Sequence, residues 1–489
     1  MSQTQRIAYG DFQTPEQLAR RVTALLKDLD LHPTVIIEPT CGIGNFVHAA
    51  LNTFGKHPRY IAFDINSSYL AQLRASLPQD NHTQITIETK NFFEHDWSTF
   101  FQDFQTDHIL MLGNPPWVTN AKLGMIGSSN APQKSNFQRY SGLAAKTGKA
   151  NFDIAEWMLI KLLESLQGHT AWIAMLCKTA TVRKVLRYAW EQDFQIGQSS
   201  LHLIDTNASF QVSVDACLFL THIGAPQSTK EAAVYSSLDF CHKISRFEMY
   251  GTELVADIDL YQDVKEFDGA SEYIWRSGIK HDAAKVIELS QKGSHFVNGF
   301  GEIADIEDDY IFPLLKSSDI ANHRLIPHKY VILTQTSMGE DTAKIKTCAP
   351  KTWKYLVCYR DILQSRKSSI YKNRPPFSIF GVGKYSFAPW KVAVSGFYKQ
   401  MRFAVLGQQA GKPIMVDDTC YFISCFSEAE AAFLTTLLNS ERCQQLLRSL
   451  VFFDAKRPIT RDILKRIDIK RLAAYYQQEK TARHHLLPR

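Results

Sequence analysis

A chain of 489 residues is too long for one ordinary hydrophobic core, so two or three domains are expected. Its 45% hydrophobic and 21% charged residues exclude a disordered chain; no apolar run approaches the roughly 20 residues that cross a bilayer, and the opening MSQTQRIAYGDF carries no signal-peptide pattern, so a cytoplasmic protein without membrane attachment is expected. Charge is uneven: residues 1–224 carry 18 Lys+Arg against 19 Asp+Glu, whereas residues 225–489 carry 37 against 30, which suits a neutral catalytic module joined to one that binds a polyanion, though solvated surface charge gives the same count.

In chain order, QTPEQLARRVTALLKDL reads as a helix with Thr14 and Pro15 at its start, where proline is favoured. A plain cap explains Thr14 equally well. PTVIIEPT is a strand ending at Glu38, followed by Thr40, Cys41, Gly42 and Gly44 in a tight turn into the next helix. Glycines there let the backbone approach a ligand, and the helix start offers unpaired N–H groups; a simple strand-to-helix turn has the same pattern. PRYIAFDI ends in Asp64 and Ile65, and an acidic side chain at that place can accept the hydroxyls of a ribose. After the helix SSYLAQLRASL, the strand HTQITIET leads to Asn91 and Phe92, placed to bond and to cover an adenine ring. The glycine loop has an acidic residue before it and no GxGxxG. That favours a ligand with a cationic amino-acid end over a pyrophosphate, with Glu38 and the loop amides on that end and Asp64 on the ribose.

HILMLGNPPWVTN is the most informative segment. An apolar strand runs into Asn114-Pro115-Pro116-Trp117, so the tetrapeptide sits at the carboxyl end of a parallel sheet, where ligands bind. The two prolines fix the backbone and leave carbonyls pointing outward. The Asn114 side-chain oxygen and the Pro115 carbonyl can accept both hydrogens of one exocyclic amine, which aims the nitrogen lone pair at an electrophile and stabilises the charge that develops on nitrogen. Trp117 offers a flat face to a flipped-out base. A proline-rich turn accounts for the prolines without demanding the flanking Asn and Trp.

A polar stretch over about 118–150 reads as a mobile loop whose Lys134, Lys146 and Lys149 meet phosphate or solvent. The helix FDIAEWMLIKLLESL and the strands HTAWIAMLC and SVDACLFLTHI complete an alternation of strands and helices. It predicts an α/β domain over 1–224, with a mostly parallel, Rossmann-like sheet covered on both faces. IGAPQSTKEAA reads as a linker, and 225–489 as a mixed α+β domain. Within that domain Arg366, Lys367, Lys372 and Arg374 surround Tyr371, and FFDAKRPIT holds Lys456 and Arg457. Basic residues among aromatics suit phosphate contact and base stacking, and each alone is equally consistent with surface charge. Nine cysteines without CxxC spacing argue against zinc, and no metal is expected.

Together, the TPEQLA helix, EPTCGIGNF, FDI, NFF and GNPPW, in this order and spacing, resemble the amino-methyltransferase family over residues 9–222, in the gamma-type group that runs cofactor motifs, catalytic motif and target-recognition domain in that order. The resemblance implies S-adenosylmethionine as cofactor, held by Thr14, Glu38, Asp64 and Asn91. Members usually carry Asp where Asn91 stands, which weakens that one contact. It also implies a second aromatic residue in DTNASFQVSVDACLF, namely Phe210, to sandwich the base with Trp117; a buried core Phe is the alternative. Phe152, in GKANFDIAEWMLI, is implied to flank the cofactor adenine. Asn rather than Ser at the head of the catalytic loop favours adenine over cytosine. The expected protein is thus a site-specific DNA adenine-N6 methyltransferase of a type II restriction-modification system in a prokaryotic cell, acting on double-stranded DNA beside a separate cognate endonuclease. The alternatives are an RNA or protein-glutamine amino-methyltransferase, or a catalytically inactive DNA-binding specificity protein.

Overall fold

The computed structural model describes residues 13–77, 83–118, 153–455 and 457–476. The chain forms two compact units, one ending at Ile258 and the other beginning at Asp259.

The first unit is built on a ten-stranded sheet. Its strands are β1 (Val35–Glu38), β2 (Arg59–Asp64), β3 (Ile85–Thr89), β4 (His108–Gly113), β5 (Thr170–Lys178), β6 (Ile196–Ile204), β7 (Ala216–Ile223), β8 (Glu231–Tyr235), β9 (Lys243–Tyr250) and β10 (Glu253–Val255). The spatial order is β10-β9-β8-β6-β7-β5-β4-β1-β2-β3. From β3 to β5 all neighbours pair in parallel, and β7 runs antiparallel between β5 and β6. β1 is buried at every position, as a central parallel strand covered on both faces must be.

Helix α1 (Glu16–Asp28) follows Pro15 as its N-cap, carries Glu16 in the first turn and Lys27 in the last, and buries Leu18, Val22, Leu25 and Leu26 on one face. That face packs with Phe46, Ala49 and Ala50 of α2 (Asn45–Phe54) over Ile36, Leu110, Leu112 and Leu176 of the sheet. Helices α3 (Ser67–Ser76), α4 (Trp97–Phe101), α5 (Ile154–Ser165), α6 (Thr179–Glu191) and α7 (Thr206–Phe210) also belong to the unit. The mostly parallel α/β sheet expected from the sequence is therefore present. The stretch read as a linker is not one: β8 begins at Glu231 and pairs in parallel with β6, so the sheet continues past residue 224 to Val255.

The second unit is mixed α+β. A four-stranded sheet runs in the order Arg276–Ser277, Cys420–Cys425, Trp390–Ser395, Ala404–Leu406, and a five-stranded one joins Glu288–Lys292, Ile311–Leu315 and Lys329–Ile332 with two short strands. Its core gathers Val286, Leu289, Leu314, Val331 and Ile379. Among the described residues no helix is long and apolar enough to cross a membrane.

Candidate functional site

Three strands that end in the polar residues picked from the sequence lie side by side. β1 ends at Glu38, β2 at Asp64, and β4 runs into Asn114, with β1 between the other two. The chain runs outward from β1 to β3 on one side and from β4 to β5 on the other. Such a reversal of strand order leaves a crevice at the carboxyl ends, where open α/β sheets bind ligands.

Glu38 is only 5% exposed. The N–H of Val47, in the first turn of α2, bonds its carboxylate, while Oε2 is buried with no hydrogen-bond partner among the described residues. Burial above all, and then the nearby Asp64 charge, push the Glu38 carboxyl well above its ordinary range. The same burial, followed by the charges of Glu38 and Asp64, pushes up the Cys41 thiol, which is no nucleophile here. Two acidic groups, Glu38 buried and Asp64 half-buried, thus stand at neighbouring strand ends.

The glycine loop closes differently from expectation. Cys41 N–H donates to the Phe63 carbonyl (2.8 Å), Gly42 N–H to Asp64 Oδ2 (2.8 Å), Ile43 N–H to Gln13 Oε1 (3.2 Å) and Gly44 N–H to the Cys41 carbonyl (2.8 Å). The loop amides predicted to hold a ligand are thus engaged within the chain. What the glycines supply is backbone: Gly44 has φ +86°, and a Cβ there would lie 2.2 Å from Leu73 Cδ1. Asp64 also accepts from Asn66 N–H through Oδ1 (2.8 Å), so it organises the loop. Asn45 Nδ2 donates to the Thr14 carbonyl (2.7 Å), which ties the segment before α1 to the same loop. Thr14 caps nothing by its side chain, since the cap position of α1 is Pro15.

Farther along the strand ends, Ile65 is 42% exposed beside Asp64. Asn91 turns its Oδ1 to the Phe93 N–H (3.0 Å), so that oxygen is already engaged locally. Phe92 is buried against Trp97 (4.9 Å between centroids), whose indole N–H donates to the Phe92 carbonyl (3.1 Å).

At the end of β4, Gly113 takes φ +155°, and a Cβ there would be in ordinary contact with Glu38 Cγ (3.5 Å), so Asn114 follows directly on a residue that packs beside Glu38. Trp117 is 7% exposed and donates its indole N–H to the Leu176 carbonyl of β5 (3.2 Å). Its ring meets Phe210 at 5.2 Å and 65°, edge to face. The structure therefore brings the two predicted base-stacking residues together, but as a packed pair and not as parallel plates. Phe210 ends α7, whose cap Asp205 accepts from Ala208 N–H (2.9 Å), while Thr206 Oγ1 donates to the Val212 and Val214 carbonyls (3.0 and 2.7 Å). This loop encloses a cleft of about 300 Å³ lined by Asp205, Thr206, Asn207, Ser213 and Asp215, at the small end of ligand pockets.

Two residues not singled out in the sequence complete the site. Lys178, the last residue of β5, donates to the Trp117 carbonyl (3.0 Å) and pairs with Asp153 (2.5 Å), the cap of α5. A cap position directly before a helix and a charged residue closing an apolar strand were the available signals.

In the second unit Arg366 does not face outward. Its guanidinium donates to the carbonyls of Leu363 (2.6 Å), His281 (3.1 Å) and Ser378 (2.8 Å) and lies 3.7 Å over the Tyr371 ring. Lys367, Lys372 and Arg374 are exposed, and Arg457 lies 4.8 Å over the Phe397 ring. Lys134, Phe152, Lys456 and nearly all of the loop at 118–150, with Lys146 and Lys149, lie outside the described residues.

The strand order β3-β2-β1-β4-β5-β7-β6, with β7 reversed, and the acidic crevice at its carboxyl ends define a class I methyltransferase fold. No family profile matches the chain. Type II methyltransferase M.NspV of Nostoc sp. is 43% identical over 471 residues, spanning 96% of this chain and 98% of that protein. Type II methyltransferase M.CvrRI of Paramecium bursaria Chlorella virus XZ-6E is 32% identical over 119 residues, 24% of this chain and 27% of that one. The type IIL restriction-modification enzyme MmeI, solved in complex with DNA, superposes with a TM-score of 0.56 over 92% of this chain at 11% identity, a likeness of fold alone; the chain spans 64% of its length. The chain belongs to the type II methyltransferases.

Proposed function

We propose that the protein transfers a methyl group from S-adenosylmethionine to the exocyclic N6 of a flipped-out adenine at a specific site in double-stranded DNA, and so protects host DNA in a restriction-modification system. The observation that carries this reading is the adjacency of two acceptors of different kinds across the strand-order reversal. Glu38, whose buried Oε2 has no hydrogen-bond partner among the described residues, ends β1, and Asn114-Pro115 follows β4, with Gly113 against Glu38 between them. The first fits an ammonium group, the second an uncharged amine.

S-adenosylmethionine, when bound, supplies an electrophilic sulfonium methyl. Glu38 and Asp64 hold its cationic amino-acid end and its ribose, and exposed Ile65 and buried Phe92 flank the adenine side. Thr14, Pro15, Thr40, Cys41, Gly42, Gly44 and Asn91 shape the same pocket. Asn114 Oδ1 and the Pro115 carbonyl accept the two hydrogens of the target amine, which sets its lone pair toward the donor and stabilises the cation formed on transfer. No base is needed beforehand, because the nitrogen becomes strongly acidic only once methylated. For the base to stack on Trp117, Phe210 has to rotate out of its present edge contact. The type II name of M.NspV and the DNA complex of MmeI support DNA as substrate. Exposed Lys367, Lys372 and Arg374 suit its phosphates.

The test is incubation with tritiated S-adenosylmethionine and unmodified DNA, total RNA or release factor, followed by digestion and chromatography. Label in N6-methyladenine from DNA is expected. Label confined to RNA or protein overturns the DNA reading, and label on cytosine overturns the base.

A further inference from the structure

We propose that Lys178 is a positioning residue for methyl transfer, acting with Asp153 through the main chain of the catalytic loop; the inference rests on the function proposed above. Lys178 closes β5 with its side chain 24% exposed, and Asp153 is 9% exposed. An ion pair this far out of water is retained only with good geometry and with its remaining hydrogen-bonding groups satisfied. Both conditions hold. Lys178 Nζ donates to Asp153 Oδ2 (2.5 Å) and to the Trp117 carbonyl (3.0 Å), while Asp153 Oδ1 accepts from Ala155 N–H in the first turn of α5 (3.1 Å). One ammonium thus joins the end of β5, the start of α5 and the last residue of the Asn114–Trp117 tetrapeptide.

Neighbouring bonds extend the clamp. Ile154 N–H donates to the Val118 carbonyl (2.9 Å), and the Trp117 indole donates to the Leu176 carbonyl (3.2 Å), two residues before Lys178. Thr179, the next residue, donates its N–H to the Asp215 carbonyl (3.2 Å) at the far end of the Phe210 loop. Both loops that carry the predicted base-stacking rings are therefore tied to Lys178-Thr179.

The mechanical argument runs through the prolines. Pro115 and Pro116 have fixed φ, which removes two of the torsions between Asn114 and Trp117. Holding the Trp117 carbonyl then narrows the directions open to the Pro115 carbonyl and the Asn114 amide, the two acceptors of the target amine. A displacement of about 1 Å at such a site is enough to lower the rate about 100-fold. Lys178 touches neither substrate nor donor in this scheme; its effect falls on the chemical step and leaves the Glu38 pocket untouched.

The experiment compares wild type with Lys178→Met, Lys178→Arg and Asp153→Asn in tritium transfer to unmodified DNA, with cofactor binding followed by calorimetry. Lys178→Met is expected to lower kcat about 100-fold while cofactor affinity stays within about threefold. Lys178→Arg, which keeps the charge and the donors, is expected to recover most of the rate. Should Lys178→Met fail to fold, Asp153→Asn decides, since its amide oxygen can still cap Ala155; a kcat lowered about 10-fold with an unchanged cofactor Kd is expected. A Lys178→Met variant within about threefold of wild-type kcat overturns the proposal, as does an Arg variant as impaired as the Met variant, or, where Met does not fold, an Asp153→Asn variant with wild-type kcat. If wild type labels no DNA, the functional reading itself falls, and this inference with it.

Discussion

Two sets of residues stand out in the sequence for their chemistry, and they fare differently in the two units. In the first unit Glu38, Asp64 and Asn114 are brought to neighbouring strand ends, because parallel strands in consecutive βαβ units all deliver their carboxyl ends to one edge. In the second unit Arg366 sits in a cluster of Lys367, Lys372 and Arg374, yet it is folded inward onto three carbonyls and the Tyr371 ring. Topology places a polar residue that ends a strand. A basic run in irregular chain carries no such constraint, and a guanidinium satisfies buried carbonyls as well as it satisfies phosphates.

The largest effect expected from this contrast is at the strand ends. Asn114→Ala should lower kcat by about 10²–10³ or more while cofactor binding persists, as seen in labelled transfer and calorimetry; near-normal turnover breaks the two-acceptor scheme. Next comes Glu38→Gln, expected to weaken cofactor binding on the order of 10- to 100-fold, since a buried charge-assisted bond is lost. The same change should stabilise the free protein. Glu38 is raised by burial above its ordinary 4.5, so its contribution to stability is full below that pH and is lost as pH rises through the folded value. A melting temperature higher than wild type near neutral pH, and no higher near pH 4, is the expected outcome, at about 2–4 °C per kcal/mol regained.

Arg366→Ala should act on stability alone. Loss of a donor to three carbonyls is expected to cost about 2–3 kcal/mol with DNA affinity of the folded protein unchanged. The smallest effects belong to Lys367, Lys372 and Arg374. Alanine at each should leave the melting temperature in place and reduce the slope of log affinity against log salt by about 1. A salt slope that changes with Arg366 and not with these three reverses the distinction between the clusters.

The elements that were legible in the sequence are those whose pattern is undiluted. β1, β2, β4 and β5 are apolar runs bounded by turn residues, and α1 carries a clear 3.6-residue stripe. β6 is hidden because Ser199, Ser200 and His202 interrupt it. Each is buried and paired: Ser199 with Thr221 (2.8 Å), Ser200 with His202 (3.0 Å), and His202 with the Asp239 carbonyl (2.9 Å). Thr221 and Asp239, which lie 22 and 37 residues from Ser199 and His202, do not show in a local window. β8 and β9 are half-exposed strands near the β10 end of the sheet, so their weak alternation resembles a linker. At the site, the residue types at the strand ends were legible from their position, whereas the Lys178–Asp153 pair joins residues 25 apart, from the end of β5 back to the cap of α5, a pairing that no local pattern marks.

The closed circuit of hydrogen bonds around Gly42 has a dynamic consequence. Every backbone N–H from Cys41 to Gly44 already has an acceptor within the chain. A ligand that enters beside this turn finds it ordered, so association forfeits little conformational entropy there and need not wait for a closure step. Amide hydrogen exchange at Cys41–Gly44 should accordingly be slow in the free protein and change little when the nucleoside binds.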